Sequence, residues 1–155
     1  MDTEHSHPTR KYPSKGVLIL PNQPTIAFVT ICAKKRIAWL ADRECHSALR
    51  KAWAEADGWL VGRYVVMPDH IHLFAAPGAK DIEIEPWVQF WKSLVTRNLK
   101  DRAKGWQKGC LHHRLRRDES YEQKWQYVLD NPVRKGLVQD SRDWPFQGEL
   151  EVLPW

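Results

Sequence analysis

A chain of 155 residues with 43% hydrophobic and 28% charged side chains is long enough to bury a core unaided and has a globular composition, which excludes fibrous and disordered classes. Twenty-four Lys and Arg against 19 Asp and Glu leave a formal charge of +5 and a pI near 9.2, a moderate excess that attracts polyanions without identifying one. Cys32, Cys45 and Cys110 form no Cys-x-x-Cys pair, no apolar run approaches the roughly 20 residues of a membrane span, and the polar first ten residues lack a signal-peptide core, so a cytoplasmic protein with no membrane partner is expected.

Residues 1–16 combine charge with Pro8, Pro13 and Gly16 and are expected to form a flexible basic arm, leaving 17–155 as a single domain. Thr25 to Cys32 is an apolar, β-branched run bounded by Pro24, which predicts a buried strand. From about Leu40 to Asp57 apolar residues recur at helical spacing up to Gly58. Trp59 to Met67 and His70 to Ala76 are β-type runs joined by Pro68-Asp69, a hairpin pattern. Pro86 opens a second helix, about Trp87 to Asp101, and a further strand is expected within Trp106 to Arg114. A third helix runs from Glu119 to Asn131, capped by Asp118 or Ser120 and ended by Pro132. The Pro- and Trp-rich tail, Gly136 to Trp155, is expected to pack back over the domain. This order predicts an α+β domain with one core: a ferredoxin-like antiparallel sheet with helices packed on at least one face.

Chemistry enters with His70-Ile71-His72. Strand residues two apart share a face, so both imidazoles point the same way, and paired neutral imidazoles suit a divalent metal. An isolated His-x-His is more often a surface or packed pair. On the third helix, Tyr121, Trp125, Val128 and Leu129 form an apolar stripe, while Ser120, Lys124, Tyr127 and Asn131 fall on another face. Tyr127 could there present its phenol beside an oxygen ligand from Asn131. A surface tyrosine followed by a helix-end asparagine accounts for the same pattern.

Three segments then carry a resemblance: Val65-Val-Met-Pro-Asp-His-Ile-His-Leu-Phe74, Leu115-Arg-Arg-Asp-Glu-Ser-Tyr121, and Tyr127-Val-Leu-Asp-Asn-Pro-Val-Arg-Lys-Gly-Leu-Val138. Together, in this order, they resemble the HUH single-tyrosine transposases, and within them the REP-associated tyrosine transposases, over about Phe28 to Trp144. The resemblance implies His70 and His72 as metal ligands, Asn131 as the polar ligand, Tyr127 as nucleophile, magnesium or manganese as cofactor, and a ferredoxin-like fold. It also implies a single-strand DNA endonuclease and strand transferase that cuts beside DNA hairpins through a 5′-phosphotyrosine link, with a monomer expected over a homodimer. The chain departs from the pattern at His112, where relatives usually carry Asp, and at Lys135, usually a small residue. His112 thereby puts the surroundings of the site in doubt.

Lys92, Arg97, Lys100, Arg102, Lys104, Lys108, Arg114, Arg116 and Arg117 concentrate positive charge mid-chain, and Lys92, Arg97, Lys100, Arg114, Arg116 and Arg117 are the candidate DNA contacts; solvated helix and loop faces explain them equally well. Most of the nine tryptophans are expected in the core and tail packing rather than stacked on bases. Two alternatives stand beside the enzyme. One is a catalytically lapsed or domesticated DNA-hairpin-binding protein; the other, a generic RNA-binding ferredoxin-like domain, lacks the aromatic RNP1 pattern.

Overall fold

The computed structural model describes residues 24–155; the expected arm at 1–16 lies outside the described residues. The elements follow in the order β1 (Ala27–Cys32), α1 (Arg43–Glu55), β2 (Trp59–Val66), β3 (His70–Pro77), α2 (Ile84–Leu99), β4 (Leu111–Arg114), α3 (Tyr121–Leu129), α4 (Asn131–Arg134) and β5 (Gln147–Glu149). All pairings are antiparallel, in the order β4-β1-β3-β2-β5. The first four strands have the ferredoxin-like arrangement, and β5 extends the β2 edge.

The sheet has a core on each side, where the sequence suggested one. Alternation along β1 and β3 sends Val29, Ile31, Ile71, Leu73 and Ala75 to one face, against Leu49, Trp53, Trp87 and Trp91 of α1 and α2. The opposite residues, with Val65 and Phe74 fully buried, meet Tyr121, Trp125 and Val128 of α3 and Trp144 and Leu153 of the tail. A sheet sandwiched by two layers must be apolar on both faces, which explains why these strands are nearly continuous in hydrophobic residues. Seven tryptophans, Trp39, Trp53, Trp59, Trp87, Trp91, Trp125 and Trp144, are buried and therefore serve packing, as expected.

Element ends differ from the sequence expectation for local reasons. Helix α1 starts at Arg43 rather than about Leu40, because Asp42 caps it by accepting from Cys45 N, and it closes at Ala56. Helix α2 begins at Ile84, ahead of Pro86, because proline is tolerated in a first turn that needs no N–H donor there. Strand β4 is shorter than expected, with Trp106 contributing only an isolated bridge to Ala33. Pro132 does not stop helicity: α3 breaks at Asp130, and α4 restarts with Pro132 in its first turn. The tail supplies β5, whose Gln-Gly-Glu sequence carries no strand signal and is extended only by pairing with Arg63–Val65.

A bulge in β2 positions the α3 layer. The register slips between Val61 and Tyr64, where Gly62 and Arg63 stand opposite the single Phe74 of β3. Arg63 is thereby directed to α3, 5.2 Å from the Tyr121 ring and 2.7 Å from Glu122. Gly62 lets the tail and α3 close over the bulge: a Cβ there would lie 2.6 Å from Leu153 Cδ1 and 2.9 Å from Tyr121 Oη.

Candidate nucleic-acid processing site

The β2–β3 connection is the two-residue turn Pro68-Asp69, closed by Met67 N donating to His70 O at 2.7 Å. It fixes the register that starts β3 at His70, so His70 and His72 fall on the α3 side of the sheet. Their rings pack edge to face at 4.7 Å. Each is held by its Nδ1. For His72 the partner is Thr30 Oγ1 at 3.0 Å, directly across the β1–β3 ladder. For His70 it is Asp69 Oδ1 at 2.8 Å, and Asp69 in turn accepts from Arg36 Nε at 3.0 Å. Both Nδ1 atoms are thus engaged by protein partners, and neither Nε2 has a hydrogen bond to another described residue.

Electrostatics keep the pair uncharged. Burial lowers His72 to about 4, with the charges of His70, Arg134 and Arg36 acting in the same direction. Burial also lowers His70, outweighing the hydrogen bond to Asp69 that favours its protonated form. Asp69 is held below the usual carboxylate range by its bonds to His70 and Arg36, which outweigh its own partial burial. Neutral imidazoles with free Nε2 atoms are the state a cation requires.

Helix α3 lies across this face. Tyr121 and Trp125 pack on Phe74 at 5.0 and 6.4 Å between ring centroids, turning the other side of the helix outward. Tyr127 is accordingly 66% exposed. It lines a pocket of about 510 Å³ with Phe28, His72, Lys124, Val128, Asn131, Arg134 and Lys135. Phe28 forms the pocket floor, stacked on His72 at 5.2 Å. Asn131 is 9% exposed, and its amide makes no hydrogen bond to another described residue. Its position at the start of α4, not the end of α3, comes from the break at Asp130.

The structure thus brings Tyr127, His72 and Asn131 to one pocket, with His70 beside His72. Among the described residues no group of three His, Cys, Asp or Glu could hold a metal ion. The donors that fit one are two imidazole nitrogens and an otherwise unbonded amide oxygen, a set that leaves coordination positions open for a phosphate oxygen.

The six candidate DNA contacts are not brought together. Lys92 is 3% exposed and donates to Gln107 O and Gly109 O at 3.0 and 2.6 Å; it pins a loop and cannot reach DNA. Arg97 and Lys100 lie at the end of α2, behind the sheet. Arg114 pairs with Ala27, on that same rear face. Arg116 and Arg117 are exposed in the β4–α3 connection but do not line the pocket. The cations that do are Lys124, Arg134 and Lys135. Their signal was helical spacing about Tyr127, three residues before and seven and eight after, which a search for charge clusters passes over.

His112 is turned away from the site. It pairs with Val29, whose side chain is in the α1/α2 core, and its Nε2 is 3.6 Å from Glu85 Oε2 of α2. Its departure from the transposase pattern therefore does not disturb the imidazole pair. The residues of β4 on the site's face are Leu111 and His113, which pair with Thr30 and Phe28, and the His113 ring lies 5.6 Å from that of Phe28.

Comparison with known proteins agrees with the motif resemblance. No family model matches the chain. A protein of Haemophilus influenzae named "Putative REP-associated tyrosine transposase" is 30% identical over 107 residues, 57% of this chain and 61% of its own length. The "REP-associated tyrosine transposase" of Escherichia coli K12 is 29% identical over 91 residues, 56% of this chain and 52% of its own. The chain spans about half to three-fifths of the length of these curated relatives. A solved REP-associated tyrosine transposase bound to a REP hairpin shares the fold, with a TM-score of 0.67 and 24% identity over 89% of this chain and 79% of that one. The resemblance is thus to REP-associated tyrosine transposases, in sequence and in fold. No helix among the described residues is long and apolar enough to cross a membrane.

Proposed function

We propose that this relative of the REP-associated tyrosine transposases binds hairpin-forming DNA and cuts and rejoins single strands beside the hairpin through Tyr127. The observation that carries the reading is an exposed tyrosine sharing one pocket with His72, Asn131 and three cations. A structural tyrosine in an α3 otherwise docked through Tyr121 and Trp125 would not need that setting.

The nucleophile is the Tyr127 phenol. Phenols are weak nucleophiles, so the attack is helped by cations that offset the charge of the phosphate, and Lys124, Arg134 and Lys135 line the pocket. Tyr127 Oη forms a bond to phosphorus in line with the breaking P–O3′ bond, and the departing 3′ oxygen takes up a proton to give a 3′-OH. The phosphotyrosine ester retains the energy of the broken linkage, so a second 3′-OH can attack it and release Tyr127. His70, His72 and Asn131 would hold magnesium or manganese. When bound, the ion polarises a non-bridging phosphate oxygen and helps orient the scissile bond. Thr30 and Asp69 orient the two imidazoles, and Phe28 shields one face of His72 from water. All these groups come from one chain, so a monomer suffices.

The test is covalent capture. The protein is incubated with 5′- and 3′-labelled single-stranded hairpins and Mn²⁺, then run on a denaturing gel. A DNA adduct is expected for the parent protein and none for Tyr127→Phe. An adduct that survives in Tyr127→Phe removes Tyr127 from the mechanism; tight hairpin binding with no adduct on any hairpin leaves a binding protein instead.

A further inference from the structure

The guanidinium of Arg134 lies 4.0 Å from the centroid of the Tyr127 ring. At this distance the planar cation rests on the negative face of the ring, a contact that arginine makes better than lysine because its flat face is weakly hydrated. Such stacking uses only the face. The N–H groups radiate from the edge, and Arg134 has neither an ion pair nor a side-chain hydrogen bond with another described residue. Its backbone is fixed: Arg134 N donates to Asp130 O at 3.0 Å, and α4 is anchored by buried Asn131 and Pro132.

Its neighbours make the pocket selective for an anion. Lys135 also lines it without an ion pair among the described residues, and Lys124 shares its charge with Glu119 at 3.2 Å. No carboxylate lines the pocket. An anion is the missing complement, and a guanidinium edge presents the paired donors that a phosphate's non-bridging oxygens accept.

We propose that Arg134 is a phosphate-binding residue: with its face on the Tyr127 ring, it directs its edge N–H groups to a phosphodiester of single-stranded DNA and seats it beside the phenol. The assignment rests on the reading of Tyr127 as nucleophile for its consequence in catalysis, but phosphate binding is measurable without any cutting. The ring would orient the arginine, and the arginine the phosphate, which brings phosphorus to the hydroxyl end of the same ring.

The experiment measures binding of a fluorescent single-stranded thymidine octanucleotide by anisotropy in EDTA, so that no ion contributes, for the parent protein, Arg134→Ala, Arg134→Lys and Arg97→Ala. Arg134→Ala is expected to bind about tenfold more weakly with a salt slope smaller by about one, while Arg97→Ala stays within about twofold. Arg134→Lys should restore part of the affinity and the salt slope, because the charge returns without the planar fork. Arg134→Gln replaces the alanine variant if that one melts early. Binding by Arg134→Ala within twofold of the parent overturns the assignment, as does an equal loss in Arg97→Ala, which would make the attraction a property of net charge. Adduct formation with Mn²⁺ on a labelled hairpin is scored separately. Weak binding by Arg134→Ala, with no adduct from the parent protein, would sink the nucleophile and keep the phosphate site.

Discussion

Thr30 stands directly across the β1–β3 ladder from His72, its hydroxyl 3.0 Å from the imidazole Nδ1. That one contact orients the imidazole and occupies its Nδ1, and it comes from a residue with no motif of its own. Replacing Thr30 by valine keeps the volume and the strand preference but removes the hydroxyl partner. Partners of this kind influence metal affinity by about 10- to 100-fold. Thr30→Val is therefore expected to weaken Mn²⁺ binding, followed by calorimetry, by about tenfold or more, with a stability change of about 1 kcal/mol. Unchanged Mn²⁺ affinity would separate His72 from the ion.

Trp125 couples the helix that carries Tyr127 to the sheet. It is 9% exposed and packs on Phe74, two residues beyond His72. Trp125→Ala leaves a cavity beneath α3 and should destabilise the protein by about 3 to 5 kcal/mol in urea unfolding. At a temperature where the variant is still folded, adduct formation should fall more steeply than binding of the DNA hairpin. The reason is geometric: α3 carries Tyr127, and the imidazoles do not move with it.

The rear-facing position of His112 gives an opposite expectation. His112→Asp restores the residue usual among the resembling transposases but sets a carboxylate toward Glu85, now 3.6 Å from the histidine Nε2. A stability loss on the order of 1 kcal/mol is expected from the lost pair and the added repulsion, with adduct yield unchanged at equal folded protein. A marked rise in yield would show that position 112 communicates with the site despite its orientation.

Lys92 is expected to behave as a buried staple. Lys92→Met leaves two carbonyls without their donor, costing about 1 to 3 kcal/mol, while hairpin affinity and its salt slope stay at parent values. Burial lowers the amine below its ordinary value, the nearby acids raising it only in part. The protonated form is thus disfavoured by folding, and stability contributed by this group rises with pH from the lowered value up to about 10.5. The methionine variant should lack that alkaline rise relative to the parent in denaturation curves taken between pH 8 and 10.5.

Periodicity made several of these features legible before any coordinates. Two-residue alternation places His70 and His72 on a common face, and Pro68-Asp69 marks the hairpin that fixes them. Helical spacing separates exposed Tyr127 from buried Tyr121, Trp125 and Val128. These are short-range consequences of backbone geometry, so the sequence by itself determined them. Which face of the sheet meets which helix is settled by pairing between strands far apart in the chain. Only the tertiary structure could decide that His72 and Tyr127 line one pocket with Phe28, that His112 faces α2, and that Lys92, outwardly one more cation of a basic segment, is buried. The contact of Arg134 with Tyr127 belongs there too: a spacing of seven residues puts both on one side of the helical path, but only packing in three dimensions lays the guanidinium on the ring.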